Sequence, residues 1–271
     1  MNGPSARRDT GGQTGGASGL SFGVGDRRRG VSDVVGFVFV FALVIVVVGL
    51  VAVPGTSSLQ SARDAGQISN AERAMEVLAE NNADLSERGA PSRATEISLS
   101  EAQLLMGEPV TVRVWDDDGS TSFDVDFELR PVVYRASDDT ELVSVMGAVF
   151  RVQSEGGVVV REWSPVLQDD RAMVPILNTS SATGGSQATK SSTVLVRTNA
   201  RNRTVRVATG EYDQTWRMSV DSPRASLWAR MLEEHSGVDC TVSGGVAECA
   251  VSGTPEELFV VETRATVEIG R

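Results

Sequence analysis

Few residues in this chain combine a type and a spacing that could do chemistry. Gly30 stands directly behind Arg27, Arg28 and Arg29, and a short step ahead of an uncharged run from Val34 to Val53. Cys240 and Cys249 flank the stretch TVSGGVAE, centred on Gly244-Gly245. A two-residue Gly-Gly turn would set the cysteines opposite each other at a non-hydrogen-bonded pair. There the Cα atoms sit about 4.5 Å apart, within the reach of a disulfide. An even cysteine count in an exported domain favours the bond; the other reading is two small buried thiols. Asn178-Thr179-Ser180 and Asn202-Arg203-Thr204 are sequons. They make Asn178 and Asn202 candidates for N-glycosylation outside the cell, and both are expected in exposed turns.

The remaining polar residues offer little to a catalyst. The single histidine, His235, falls at the end of a predicted helix, where the helix dipole favours it as a terminal residue. Asp116-Asp117-Asp118-Gly119 lacks the alternate spacing and terminal glutamate of a calcium loop and reads as a solvated hairpin turn. Asp138-Asp139 and Asp169-Asp170 read as hydrated surface charge. Trp115, Trp163, Trp216 and Trp228 read as core rather than as a ligand platform. No nucleophile elbow, zinc-protease helix, phosphate loop or dinucleotide fingerprint occurs in a fitting context. The expectation is a protein that is not an enzyme, with no catalytic residue, no metal and no cofactor.

Composition limits the partners. The chain has 271 residues and a formal charge of −11, from 36 acidic and 25 basic side chains. Lys190 is the one lysine; every other basic residue is arginine. Such an acidic, lysine-poor surface suits a salt-rich setting, and high-GC coding would also favour arginine. With no basic stripe to neutralise phosphates, nucleic acid is not expected as a partner.

The elements that would position these residues begin with the apolar run. As a helix, Val34–Val53 would be about 30 Å long, the thickness of a bilayer core. Residues 1–26 are Gly, Ser, Thr and Arg with little apolar content and read as disordered. The arginines ahead of the run keep that end in the cytoplasm and send the rest outward. Three fates fit such a run. A secretory signal would have a shorter apolar core and a small-x-small cleavage site, which Val51-Ala52-Val53-Pro54 does not supply. An uncut single-span anchor, holding a surface binding domain, fits the length and the charges. The third fate depends on the residue order, basic residues, then Gly30, a short polar step, then the run.

That order resembles the class III signal of type IV prepilins and archaellins. In that family a prepilin peptidase cuts on the cytoplasmic side, directly after the glycine that follows the basic residues. The resemblance implies a processing site at Arg28, Arg29, Gly30 and Val31, with the cut between Gly30 and Val31. The start VSDVVGFVFVFALVIVVVGLV is most similar to haloarchaeal pilin-like sequences. It lacks the glutamate at the fifth mature position of the bacterial branch; Val35 stands there. The rest of the chain resembles an uncharacterised haloarchaeal membrane-anchored family with the same kind of N-terminus. The implied partners are membrane lipid, the prepilin peptidase and other pilin-like subunits packed through the 34–53 helix. The implied location is the cell membrane, single-pass, with the C-terminal domain outside or on an extracellular filament.

Four segments follow. Residues 1–30 form a cytoplasmic leader, 31–53 a transmembrane or filament-core helix, 54–90 a helical stalk, and 94–271 an extracellular β-rich domain. Pro54-Gly55 is expected to break or kink the helix. In the stalk Ile68, Met75, Leu78 and Leu85 share one face with Ala71 and Asn82. That face could pack on its own domain or on a neighbouring copy.

From Ala94 the period becomes alternating. Strands are expected at Thr95–Leu99, Val110–Trp115, Phe123–Leu129, Val132–Arg135, Leu142–Val145, Ala148–Gln153 and Val158–Trp163. Others are expected at Met173–Leu177, Thr193–Thr198, Thr204–Ala208, Val238–Val242, Val246–Ala250 and Leu258–Ile269. Asn178 to Ser192 reads as a long loop. One helix is expected at Pro223–Glu234, capped by Ser222. The fold class is α+β: an N-terminal hydrophobic helix and amphipathic stalk, then an antiparallel, sandwich-like β domain with one helix.

Overall fold

The computed structural model describes residues 29–99, 102–116, 123–136, 139–168, 171–183, 193–210, 215–252 and 257–270. In the first helix, side chains are described for 34–49 and 62–87. In chain order the elements are α1 (Arg29–Glu87), β1 (Ser92–Ser98), β2 (Gln103–Met106), β3 (Val110–Asp116), β4 (Asp124–Leu129), β5 (Val132–Arg135) and β6 (Glu141–Val145). Then come β7 (Ala148–Gln153), β8 (Gly156–Arg161), β9 (Val166–Leu167), β10 (Arg171–Ser181), β11 (Thr193–Gly210) and β12 (Trp216–Asp221). The last are α2 (Ala225–Leu232), β13 (Val238–Ser243), β14 (Val246–Val251) and β15 (Glu257–Gly270). Two compact units divide the chain, Met1–Gln60 and Ser61–Arg271.

In the first unit the described side chains are almost entirely apolar and uncovered. Phe37, Val38, Phe39 and Val40 are between 56% and 72% exposed, and four consecutive residues point to every side of a helical turn. Phe37 and Phe41 stack one turn apart, with ring centroids 6.0 Å from each other. Among the described residues no helix is long and apolar enough to cross a membrane. The far end of the expected run, from Leu50 to Val53, lies outside the described side chains. Of the break or kink expected at Pro54-Gly55, the break does not occur: the backbone stays helical from Arg29 to Glu87. Proline removes one ladder bond, and the many bonds of the flanking turns hold the helix through it.

In the second unit α1 is amphipathic from Ala71 onward. Ala71, Met75, Leu78, Asn82 and Leu85 are buried at helical spacing. Met75 and Leu78 pack against Ile97, Leu104, Val196 and Val267 of the strands. Each large side chain buried in this way contributes about 1.5–3 kcal/mol. The face therefore packs on its own domain. Glu72 and Arg151 add an ion pair of 2.7 Å across the contact.

The strands form three five-stranded sheets, ordered β1-β11-β15-β10-β9, β13-β14-β12-β3-β4 and β2-β5-β6-β7-β8. The domain is β-rich and sandwich-like, with α2 lying among the sheets. In the third sheet Val132, Tyr134, Leu142 and Val149 join the cluster under α1. Their neighbours Val133, Val143 and Phe150 join the main core with Trp216 and Trp228. Covering both faces explains why stretches such as VSVMGAVF are apolar without alternation. Trp228 of α2 meets Phe150 edge-on at 5.1 Å and Trp163 at 6.3 Å.

Several expectations are corrected. The domain is not purely antiparallel: β10 runs parallel to β15 from Arg171↔Glu257 to Ser181↔Val267. β15 buries side chains on both faces and takes a central place, with β11 on one side and β10 on the other. β2, β9 and β12 were not foreseen, and the two strands expected at 193–198 and 204–208 are one strand with irregular register at Ala200/Asn202 and Val205/Val207. Bulges carry the ladder across the Asn- and Arg-rich stretch that reads as a turn. α2 lacks a side-chain cap; the Ser222 hydroxyl instead accepts from the Arg224 amide at 3.2 Å. Trp115 is half-buried rather than core, with the Arg113 guanidinium 4.8 Å from its ring centre.

Candidate functional site

The segment expected to hold the processing site opens α1. Arg29, Gly30 and Val31 lie in its first turn by backbone, while Arg28 lies outside the described residues. No acidic residue occupies the first turn of α1. An arginine at the positive end of a helix gains nothing from the dipole. A start at Val31 would make Asp33 the third residue, inside the first turn, where a carboxylate is favoured.

The cysteines are placed by their hairpin. Gly244 and Gly245 both have positive φ, 57° and 87°, which glycine adopts without steric cost and which a tight two-residue turn needs. From that turn the ladder runs outward to Cys240↔Cys249. The two are joined as a disulfide, with their Cα atoms 4.0 Å apart. Cys249 is fully buried in the main core, so the bond ties the edge strand β13 to an inner strand.

Neither sequon sits in a turn. Asn178 belongs to β10 and Asn202 to β11, and both are opposite Arg264 of the strand between them, β15. The three form one row across the sheet. The stretch expected as a loop from Asn178 continues as strand to Ser181; residues 184–192 lie outside the described residues.

Beside that row is a buried charge cluster that sequence reasoning missed. Glu262 is 3% exposed. Its carboxylate accepts from Asn178 Nδ2 at 2.8 Å and from Arg264 Nε at 2.9 Å, and pairs with Arg206 at 3.4 Å. Burial is the strongest single influence on this carboxyl and pushes its pKa up. The hydrogen bonds from Arg264 and Asn178, with the charges of Arg264 and Arg206, outweigh burial and hold it below the ordinary range. The signal in the sequence was one glutamate inside the strand-forming run LFVVETRATV, two residues before an arginine. Such a charge in a central strand needs partners.

The residues considered for catalysis are scattered. His235 is half-buried just beyond α2, and its Nδ1 has no hydrogen-bond partner among the described residues. Asp117, Asp118, Asp138, Asp169 and Asp170 lie outside the described residues. Trp163, Trp216 and Trp228 are core. One groove of about 380 Å³ lies over Arg151, Gln153, Gly157 and Arg230, and another of about 240 Å³ lies between Leu105, Glu141 and Arg224. Among the described residues their linings contain no Ser, Cys, Lys or His side chain. Among the described residues no three His, Cys, Asp or Glu side chains are grouped as a metal ion would need.

No curated protein and no solved structure matches this chain. A family model matches residues 29–268, a span that takes in both the apolar run and the β domain. The chain therefore belongs to DUF7289, a family of unknown function.

Proposed function

We propose that the protein is a pilin-like surface subunit. A prepilin peptidase cuts it between Gly30 and Val31, and the subunit is assembled into, or is accessory to, a type IV pilus-like filament that serves adhesion or secretion. Before assembly the 34–53 helix rests in the membrane with its N-terminus cytoplasmic and its β domain outside. In the filament the same apolar surface packs on other subunits in place of lipid.

The observation that carries this reading is the contrast within one helix. From Val34 to Val48 the large side chains of α1 are exposed on every side, while Met75, Leu78 and Leu85 of the same helix are buried on the β domain. A helix that is apolar all round needs lipid or other helices about it. The shift of Asp33 into the first turn on cutting adds a small gain, since a carboxylate there contributes about 0.3–1 kcal/mol.

The reading is tested by Gly30→Leu in native cells. Blocked processing is expected to leave residues 1–30 attached, to raise the apparent mass by that leader, and to remove the subunit from any sheared filament fraction. A variant with the size and distribution of the unaltered chain defeats the proposal.

A further inference from the structure

The row of Asn178, Arg264 and Asn202 separates two sequons that look alike in the sequence. Asn178 is on β10, which pairs with β15 along its length and with β9 only at Ala172 and Met173. The nitrogen that a sugar would be attached to, Nδ2, already donates to Glu262 Oε1 at 2.8 Å. Its sequon partners are also engaged. The amide of Arg130 donates to the Thr179 carbonyl at 2.9 Å, the Thr179 hydroxyl donates to the Arg130 carbonyl at 2.7 Å, and Ser180 Oγ donates to the Ala265 carbonyl at 3.4 Å. A glycan on Asn178 would push a bulky group between β10 and a carboxylate that is 3% exposed, and would disturb one of its hydrogen bonds. Weakening the hydrogen bonds of a buried charge is strongly unfavourable.

Asn202 is at the rim. The β1 ladder ends at Ser92↔Asn199, and the last backbone contact on that side is the Ala200 amide with the Pro91 carbonyl. Residues 201–206 are all exposed, and the register shifts between Ala200 and Asn202. Among the described residues no strand pairs with β11 on this side beyond Asn199. Such an open edge is a template for unwanted strand pairing, and a bulky hydrophilic group on it would prevent that.

We infer that Asn202, and not Asn178, carries an N-linked oligosaccharide; this rests on the export proposed above. The donor is an oligosaccharide held on a lipid phosphate. Asn202 Nδ2 forms a C–N bond to the anomeric carbon, and the bond from that carbon to the phosphate oxygen breaks. The oxygen keeps the electron pair, the amide nitrogen loses one proton, and the lipid phosphate departs. Thr204, exposed two residues on, supplies the hydroxyl that the acceptor sequon requires.

The test uses the full chain isolated from its native cells, with surface display checked by protease added to intact cells. The protein is then digested with an enzyme that spares Arg201 and Arg203, and the peptides are weighed. The expected result is a glycan mass on the peptide with Asn202, lost in Thr204→Ala and in Asn202→Gln, and an unmodified Asn178 peptide. Bare Asn202 on a protease-accessible protein, or a glycan on Asn178, overturns the inference alone. A β domain shielded from external protease overturns the export and this inference together. A glycan on Asn202 of a chain that still begins at Met1 supports the inference and defeats the cleavage instead.

Discussion

Glu262 shows how much one side chain can ask of its surroundings. Its folded-state pKa lies below the ordinary glutamate value of 4.5 because Arg264, Asn178 and Arg206 favour the charged form over the opposing effect of burial. A carboxyl with a depressed pKa contributes stability that is complete above its unfolded value and is lost as pH falls through the folded value. The contribution of Glu262 should therefore be intact at neutral pH, begin to fall near pH 4.5 and be lost as pH drops through the lower folded-state value. Glu262→Gln is expected to lower the denaturation midpoint at pH 7 and to make the fall in stability as pH drops below about 4.5 shallower, as read from urea titrations across pH. Equal acid slopes for both proteins would remove Glu262 from the account. Trp228 makes the contrasting case. It is fully buried against Phe150 and Trp163, and Trp228→Ala should cost about 3–5 kcal/mol in the same titration. A loss under 1 kcal/mol would mean that the site collapses or that α2 contributes little.

Among the elements, the hairpin of β13 and β14 was the most legible in the sequence. Gly244-Gly245 sets the turn type and the turn sets the register, so Cys240 and Cys249 could be paired by counting. Closing a loop of this size with a disulfide stabilises by about 2–3 kcal/mol in the chain-entropy picture. The double variant Cys240→Ala/Cys249→Ala should lower the unfolding free energy by that amount while keeping the fold, checked by circular dichroism and thermal melting. The buried face of α1 was legible for a similar local reason, the 3.6-residue period from Ala71 to Leu85. Leu78→Ala should cost about 2–5 kcal/mol, because Leu78 is fully buried beneath the strands.

What was not legible depends on contacts far apart in the sequence. The parallel pairing of β10 with β15 joins strands some 80 residues apart, and no local signal announces it. β12 had a local signal in the alternation of buried Trp216, Met218 and Val220, yet the Arg and Ser between them masked so short a run. The sequons were misplaced because Asn and Ser favour turns on their own, while here they lie in long strands paired with β15. The charge cluster at Glu262 brings together residues from β10, β11 and β15, which only the sheet order makes adjacent.

For the whole molecule, the proposed function rests on the order of residues at the N-terminus and not on a site in the β domain. The β domain supplies a packed scaffold with a buried ion cluster and a disulfide, and the groups placed in it are engaged in holding it together. The proposed processing would act at the other end of the chain, in the order RRRG, VSD and the apolar run. Removing residues 1–30 would take away five arginines and two aspartates and leave an even more acidic subunit. Copies so charged repel one another through water, so the attraction needed for assembly falls to the apolar helix, and high salt should favour it by screening. Filament or oligomer yield is therefore expected to rise with ionic strength, measured by sedimentation of purified subunits; a fall with salt would point to ion pairs as the main contact.

The most direct test is the N-terminus of the mature protein. Chain isolated from membranes and from any filament fraction should begin at Val31, and that species should vanish when the prepilin peptidase is lost. A chain that begins at Met1 in both fractions, unchanged by loss of the peptidase, would contradict the account.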